Sequence, residues 1–477
     1  MQTKNLIGGE WIEAGDGHLL EVRNPASDAV IASVPSVGAA ETRAAIDAAW
    51  NARSAWAART AADRGTLIAS LARLMRRDAE RLAQLMTLEQ GKPLAEARGE
   101  VGYAASFLEW SAEEGKRLNG DIVPASAPDK RILVLRQPVG VTAIITPWNF
   151  PAAMITRKLG PALAAGCPVV IKPAEETPLS AIAIGELACE AGFPGGVINI
   201  LTGDPATISE VIFDDDRVRK LSFTGSTQVG RLLMGKASKN LLRLSLELGG
   251  HAPFIVFDDA DLDKAVPAAV ACKFRNAGQT CICANRFYAQ AGIHDEFVAR
   301  FSKAISELKV GDGSAEGVTV GPLINDQAVA KVEEHVENAR SLGGRVPVGG
   351  RRVHVKGLAD RFYEPTLIEG MTPEMLICHE ETFGPVAPVA KFTDEAEVIE
   401  QANASEYGLA AYFFTRDASR LMRVAEALEY GIIGANDGGP STAQAPFGGV
   451  KHSGFGREGG RYAMDEYTEL KYVSWQL

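Results

Sequence analysis

Val141-Thr142-Ala143-Ile144-Ile145-Thr146, closed by Pro147-Trp148-Asn149-Phe150-Pro151, is the stretch that decides the fold class. A short β-branched run that stops at a proline-bounded turn reads as a buried strand, and the segment after it reads as a helix. The unit then repeats. Apolar runs at 168–171, 197–201 and 220–223 alternate with helical stretches, which is the grammar of a parallel, doubly wound sheet with helices on both faces. A second series follows at 254–257, 286–290, 386–392, 410–415 and 431–435. The expectation is an α/β protein with a Rossmann-like domain, a second α/β domain and a boundary near Gly249-Gly250.

Upstream, residues 39–97 have helical periodicity, with Leu67, Leu71, Leu74 and Met75 at spacings of three and four. Gly91-Lys92-Pro93 interrupts this region, and another helix is expected through 103–115. Residues 131–135 read as a strand set off by Pro124, Pro128 and Pro138, outside the strand–helix alternation. It fits an arm reaching a neighbouring subunit and a surface hairpin equally well. A strand-like 469–473 near the C-terminus is its candidate partner.

Composition narrows the function classes. The 477 residues are 46% hydrophobic and 23% charged, too many for one hydrophobic core. Net charge is −11, and the Lys and Arg are dispersed, which argues against nucleic acid as a partner. Six cysteines are too few for a disulfide framework in this length, and no His/Cys/acid cluster has metal-ligand spacing. No apolar run approaches the ~18 residues of a membrane span, and Met1–Trp11 does not read as a signal peptide. The expected location is the cytoplasm.

Ligands of open α/β sheets bind beyond the carboxyl ends of the strands. Along that rim the first series offers Asn149, Lys172, Glu175 and the turn Thr224-Gly225-Ser226-Thr227-Gln228-Val229-Gly230. Such a turn can present N–H groups to a pyrophosphate; it lacks the G-x-G-x-x-G spacing and reads equally as a tight structural link. Lys172 and Glu175 could bond ribose hydroxyls, or be a solvated loop pair. A carboxylate there would repel a 2′-phosphate and favour NAD over NADP. In the second series, Cys281 follows a Gly278-Gln279 turn that can expose its thiol. Nearby positive charge or helix-end N–H groups would raise its thiolate fraction. Glu247, at a strand end before Gly249-Gly250, could face that thiol across a cleft as a general base. Cys167, Cys189, Cys272 and Cys378 read as inert.

The segments 147–151, 223–226, 247–250, 278–281, Glu381-Thr382-Phe383-Gly384-Pro385 and 446–449 stand in the order and approximate spacing of the aldehyde dehydrogenase superfamily, which the chain resembles over nearly its whole length. The resemblance implies Cys281 as nucleophile, Asn149 with the Cys281 N–H as oxyanion donors, and Glu247 as the base that activates water. It implies cofactor contacts from Thr146, Trp148, Lys172, Glu175, Gly225, Ser226, Gly230, Leu248, Glu381 and Phe383. It also implies a domain plan: 1–120 with 141–248 binding NAD, 249–449 catalytic, and 121–140 with 450–477 forming an oligomerisation arm of a homodimer or homotetramer.

The run 274–286 and Met154-Ile155-Thr156-Arg157-Lys158 are most similar to the succinate-semialdehyde dehydrogenases. That implies a carboxylate grip by Arg157, Arg275 and Ser441, with Phe447 lining the pocket. A guanidinium suits this task because it binds a carboxylate bidentately, although either arginine could instead form an internal salt bridge. Residues 436–443 depart from the subgroup pattern, which keeps glutarate, 2-oxoglutarate and uncharged aldehydes open. NADP use, a non-catalytic NAD-binding scaffold and acyl transfer to coenzyme A are further alternatives; intact Cys281, Glu247 and Asn149 disfavour the scaffold, and Glu247 the acyl transfer. Cys283 is either a second thiol lining the pocket or the partner of Cys281 in a redox switch.

Overall fold

A computed structural model describes residues 1–477. Its larger sheet has eight strands in the order Glu10–Ile12, Asn5–Ile7, Ile198–Ile200, Val169–Lys172, Val141–Ile145, Val218–Thr224, Arg243–Glu247 and Gly454–Phe455. The central five are parallel. Val169–Lys172 is buried along its whole length, as a strand covered on both faces must be, hence its unbroken apolar reading. The N-terminal pair Asn5–Ile7 and Glu10–Ile12, too short to show periodicity, extends this sheet by antiparallel pairing.

The second sheet runs Arg345–Val348, Thr366–Glu369, Val386–Phe392, Ala284–Gln290, Ala252–Val256, Ala410–Phe414 and Ile432–Ala435. All neighbours are parallel except Arg345–Val348 with Thr366–Glu369. These two strands are absent from the sequence-based expectation. Only Gly249-Gly250-His251 and its flanks separate the last parallel strand of one sheet, ending at Glu247, from the first strand of the other, starting at Ala252.

The helical region divides into Ala39–Ala57, Ala61–Arg77, Ala79–Gln90 and Leu94–Glu114. Gly91 ends the third helix with φ +89, and a Cβ there would strike Pro322 and Pro25. Lys130–Pro138 pairs antiparallel with Thr468–Gln476 along its whole length, and Asp121–Val123 lies on its other side.

One correction concerns residues 450–477, expected as a unit with the arm. Gly454–Phe455 instead forms the edge of the larger sheet against Leu246 and Glu247. Met464 and Tyr467 are buried in the core formed by the helices of residues 61–114 and 153–191. Only Thr468–Gln476 joins the arm. The apolar residues of 463–467 bury against the first core, whereas the arm has no core of its own.

Candidate active site

Chain order reverses at Val141–Ile145, which lies between Val169–Lys172 on one side and Val218–Thr224 on the other. The crevice beyond such a switch point is where parallel sheets bind ligands. A cavity of about 230 Å³ opens there, lined by Trp148, Asn149, Thr224, Gly225, Ser226, Leu248, Gly249, Cys281, Glu381 and Phe383. Ser226 caps the helix Thr227–Ala237 by accepting a hydrogen bond from Val229 N–H, so that helix starts at the cavity wall. Trp148 and Phe383 meet edge to face at 5.6 Å across the opening.

A second cavity of about 310 Å³ is lined by Glu96, Tyr103, Phe150, Met154, Arg157, Arg275, Cys281, Ser441 and Phe447, among others. Cys281 and Met154 line both spaces. The half-buried thiol therefore stands at the junction of two chambers, one built on the first sheet, the other holding two guanidinium groups.

The loop that carries Cys281 is held in unusual backbone. Asn276 (φ 52), Ala277 (φ 54) and Gly278 (φ 75) are three consecutive left-handed residues. For alanine this conformation costs of order 1–2 kcal/mol, so the surroundings must impose it. Gly278 packs so closely on the 381–385 loop that a Cβ would lie 2.1 Å from the Gly384 carbonyl oxygen. Phe383 in that loop is also left-handed, at φ 53. Glu381 accepts a hydrogen bond from Gly250 N–H, and Lys331 Nζ donates to its main-chain carbonyl.

Burial pushes the Cys281 thiol up to about 12, against the pull of Arg157. Neighbouring positive charge was expected to raise its thiolate fraction; desolvation outweighs that charge, and the resting group is a thiol. Glu247 is buried at the end of its strand, and both carboxylate oxygens lack a hydrogen-bond partner. Burial and the nearby Glu458 hold its carboxyl well above the usual range, while Arg157, Lys158 and Arg457 oppose this. Burial likewise pushes Glu381 up to about 7. Asn149 Nδ2 donates to the Gln279 carbonyl, and its Oδ1 is buried without a partner.

A model of the aldehyde dehydrogenase family matches residues 11–473. The chain belongs to this family. It is 57% identical to the succinate-semialdehyde dehydrogenase [NADP(+)] of Escherichia coli, over 98% of this chain and 96% of that protein. It is 54% identical to the glutarate-semialdehyde dehydrogenase of Pseudomonas putida, over 98% and 96% of the two chains. Among solved structures, the E. coli NADP-dependent enzyme superimposes with a TM-score of 0.98 at 56% identity, covering 100% of this chain and 98% of that one.

Within this family frame, several expected residues stand apart from the cavities. Lys172 is buried and donates to Glu175 at 2.6 Å, so each occupies the other. Thr146 is buried with its hydroxyl unpartnered. Gly230 is a packing position: a Cβ there would overlap Leu248, itself a cavity residue. Cys283 is 1% exposed, and its thiol donates to the Lys273 carbonyl at 3.4 Å. It lies behind the pocket and does not line it, contrary to one expectation, and both it and Cys281 are free thiols.

The two arginines differ. Arg157 is buried in an ion pair with Glu458 (Nε to Oε2, 2.7 Å) that Lys158 shares, and its guanidinium lies 3.8 Å over the Phe447 ring. Arg275 is exposed, faces the Phe150 ring at 5.3 Å and has no ion-pair partner. Ser441 lies 2.5 Å from the Tyr103 hydroxyl. Sequence reasoning missed Tyr103, Lys331 and Glu458. Of these only Glu458 left a signal, between Gly456 and Gly459-Gly460, all at positive φ.

Proposed function

We propose that this protein oxidises succinate semialdehyde to the dicarboxylic acid, with NAD as the favoured hydride acceptor and NADP as the alternative. The observation that carries the reading is that Cys281 faces a chamber at the sheet switch point on one side and a chamber bearing the unpaired Arg275 on the other. An aldehyde with a distal carboxylate spans the second chamber with its anion at Arg275 and its carbonyl at the thiol. The relatives named for succinate and glutarate semialdehydes support this class.

The first chamber suits a dinucleotide. It has a capped helix start beside Gly225, a Glu381 oxygen close to Gly249, and an aromatic pair at Trp148 and Phe383. Gly225 and Ser226 would face the pyrophosphate, Glu381 and Phe383 the nicotinamide half, and Lys172 with Glu175 the adenosine ribose. The existing Lys172–Glu175 pair favours NAD, because a 2′-phosphate would have to displace the carboxylate. When bound, the nicotinamide supplies the hydride acceptor.

Cys281 Sγ passes its proton to solvent water in the chamber and adds to the aldehyde carbon, whose C=O π pair moves onto oxygen. The oxygen that becomes anionic is met by the Cys281 N–H and by Asn149 Nδ2, which exchanges the Gln279 carbonyl for it. Loss of hydride from that carbon leaves a thioester on Cys281. Glu247 then takes a proton from water as the water oxygen bonds to the acyl carbon, and the C–S bond breaks to give acid and free thiol. A buried, unpartnered carboxylate with a raised pKa suits that proton transfer.

Leu470, Tyr472 and Trp475 are more than half exposed on the arm, which suits burial against a second copy in a homodimer or homotetramer. No helix is long and apolar enough to cross a membrane. We place the protein in the cytoplasm, where six free thiols persist.

The test is kcat/KM for succinate, glutarate and 2-oxoglutarate semialdehydes and an uncharged aldehyde of similar length, each with NAD and NADP. Preference for succinate semialdehyde is expected. Equal turnover of the uncharged aldehyde would remove the carboxylate requirement.

A further inference from the structure

The segment from Gln90 to Glu100 belongs to neither sheet, yet it makes buried polar contacts with both loops that form the reaction centre. Lys92 Nζ, fully buried, donates to the main-chain carbonyl of Asn149 at 2.7 Å and contacts Glu100 Oε2 at 2.5 Å. The other Glu100 oxygen accepts from the N–H groups of Ala152 and Ala153, where the helix Ala153–Ala165 begins. The Asn149 loop is thus held at its carbonyl and at the helix start that follows. On the opposite side, Gln90 Nε2 donates to Asn276 Oδ1, and Glu96 Oε2 accepts from Asn276 N–H at 2.7 Å.

Asn276 closes the circuit. Its Nδ2 lies within hydrogen-bond distance of the Asn149 carbonyl at 3.0 Å and the Gln279 carbonyl at 3.2 Å. The same Gln279 carbonyl accepts from the Asn149 side chain. The segment is also wedged against the second half of the chain: a Cβ on Gly321 would lie 2.2 Å from the Gly91 carbonyl oxygen, and Leu94 N–H donates to the Gly313 carbonyl. A buried ion pair is weak evidence of stabilisation, because desolvation offsets its attraction. One spent on the carbonyl of a reaction-centre residue fixes geometry.

We propose that Lys92 and Glu100, with Gln90, are positioning residues that set the separation of the Asn149 amide from Cys281 and so align the oxyanion donors. This rests on the oxyanion role given to Asn149 above. None of the three makes the bond or moves the proton; their effect passes through Asn149 and Asn276. Misplacement of a donor by about 1 Å can cost about a hundredfold in rate.

The test compares three variants: Asn149→Ala, the volume-conserving pair Lys92→Met with Glu100→Gln, and all three changes together. Each is read by kcat and KM for the aldehyde at saturating NAD, and by calorimetric NAD affinity. The pair variant is expected to lose about 10- to 100-fold in kcat, with NAD affinity within about threefold of the parent. Glu100 also lines the second cavity, so an unchanged KM is expected of Gln90→Met, whose side chain lines neither chamber. Adding Asn149→Ala to it should cost less than it does in the parent, because the two act on one donor. Additive losses, or a loss in KM or NAD affinity alone, would overturn the proposal. If Asn149→Ala costs activity and the pair variant does not, the positioning role fails and the oxyanion reading stands. If Asn149→Ala itself is silent, both fail. Should the pair variant not fold, Gln90→Met, which leaves both charges in place, must show the same selective loss in kcat, and its absence overturns the proposal.

Discussion

The two sheets approach the reaction centre from opposite ends. The larger one presents the carboxyl ends of its strands, so that Asn149, the Gly225-Ser226 turn and Glu247 all follow strands or end them. The second presents its amino ends: Cys281 precedes Ala284–Gln290, and Glu381 and Phe383 precede Val386–Phe392. At a carboxyl end the chain turns into a helix whose free N–H groups suit a phosphate, and ordinary turn residues suffice. At an amino end no helix dipole is on offer, and the reactive side chain must be aimed by the loop alone. Accordingly no residue between Thr146 and Pro151, or between Thr224 and Thr227, has positive φ, whereas Asn276, Ala277, Gly278 and Phe383 all do. One side of the cleft is built on regular strand ends, and the other, which carries Cys281 as well as Glu381 and Phe383, on imposed backbone.

That division is broken most severely if chemistry and binding fail together. Cys281→Ala is expected to reduce oxidation by roughly 10⁴-fold or more, with NAD affinity by calorimetry unchanged. Loss of NAD binding would mean that the thiol itself is needed to hold the cofactor chamber that Cys281 lines. Glu247→Gln should lower the steady rate by roughly 10²–10⁴-fold. Mixing it rapidly with substrate should still give a burst of reduced cofactor equal to the enzyme concentration, because hydride leaves before water is needed. A missing burst would place Glu247 before the thioester.

The arginines sharpen the picture of the second chamber. Arg275→Ala should raise KM for succinate semialdehyde by about 10- to 100-fold and leave an uncharged aldehyde unaffected, with little change in Tm. Arg157→Ala leaves Glu458 to Lys158 alone in a buried site, and should cost about 3–5 kcal/mol of stability, seen as a lower Tm whatever the substrate. Reversal of these outcomes would make Arg157 the anion anchor.

The smallest effect concerns Glu381. Burial sets its carboxyl at about 7, and the ionised form is the better acceptor for ribose hydroxyls. A raised acid pKa leaves the group protonated below 7, so NAD affinity should strengthen by up to about tenfold per pH unit as 7 is approached from below, then level off. In Glu381→Gln the profile should be flat over that range. A slope that survives the substitution belongs to another group.

The same asymmetry explains what could be read in advance. The parallel strands of the larger sheet and the turns after them carry their signals locally, in β-branched runs stopped by proline or glycine. The unbroken alternation of the second series showed most of its sheet, yet the short Arg345–Val348 and Thr366–Glu369 were missed. Asn276 and Gly278 are residue types that tolerate left-handed backbone, but Ala277 between them argues against it, and the hydrogen bonds that hold Asn276 and the close approach of Gly384 to Gly278 form only in the fold. The role proposed for Cys281 rests on family resemblance and not on local chemistry, since its surroundings raise the thiol pKa. The Arg157–Glu458 pair joins positions 301 residues apart, beyond any periodicity.

The late closure of the larger sheet constrains how the protein is made. Its edge strand, Gly454–Phe455, and two of its core residues, Met464 and Tyr467, are translated hundreds of residues after their partners near Ile68, Leu108 and Leu246. The first-made half must therefore wait, with its core unsealed, while the whole second half is synthesised. The reaction loops of the second half emerge before the cofactor half is complete, so a chain released before Gly454 would carry every reaction-centre residue and no finished fold to hold them.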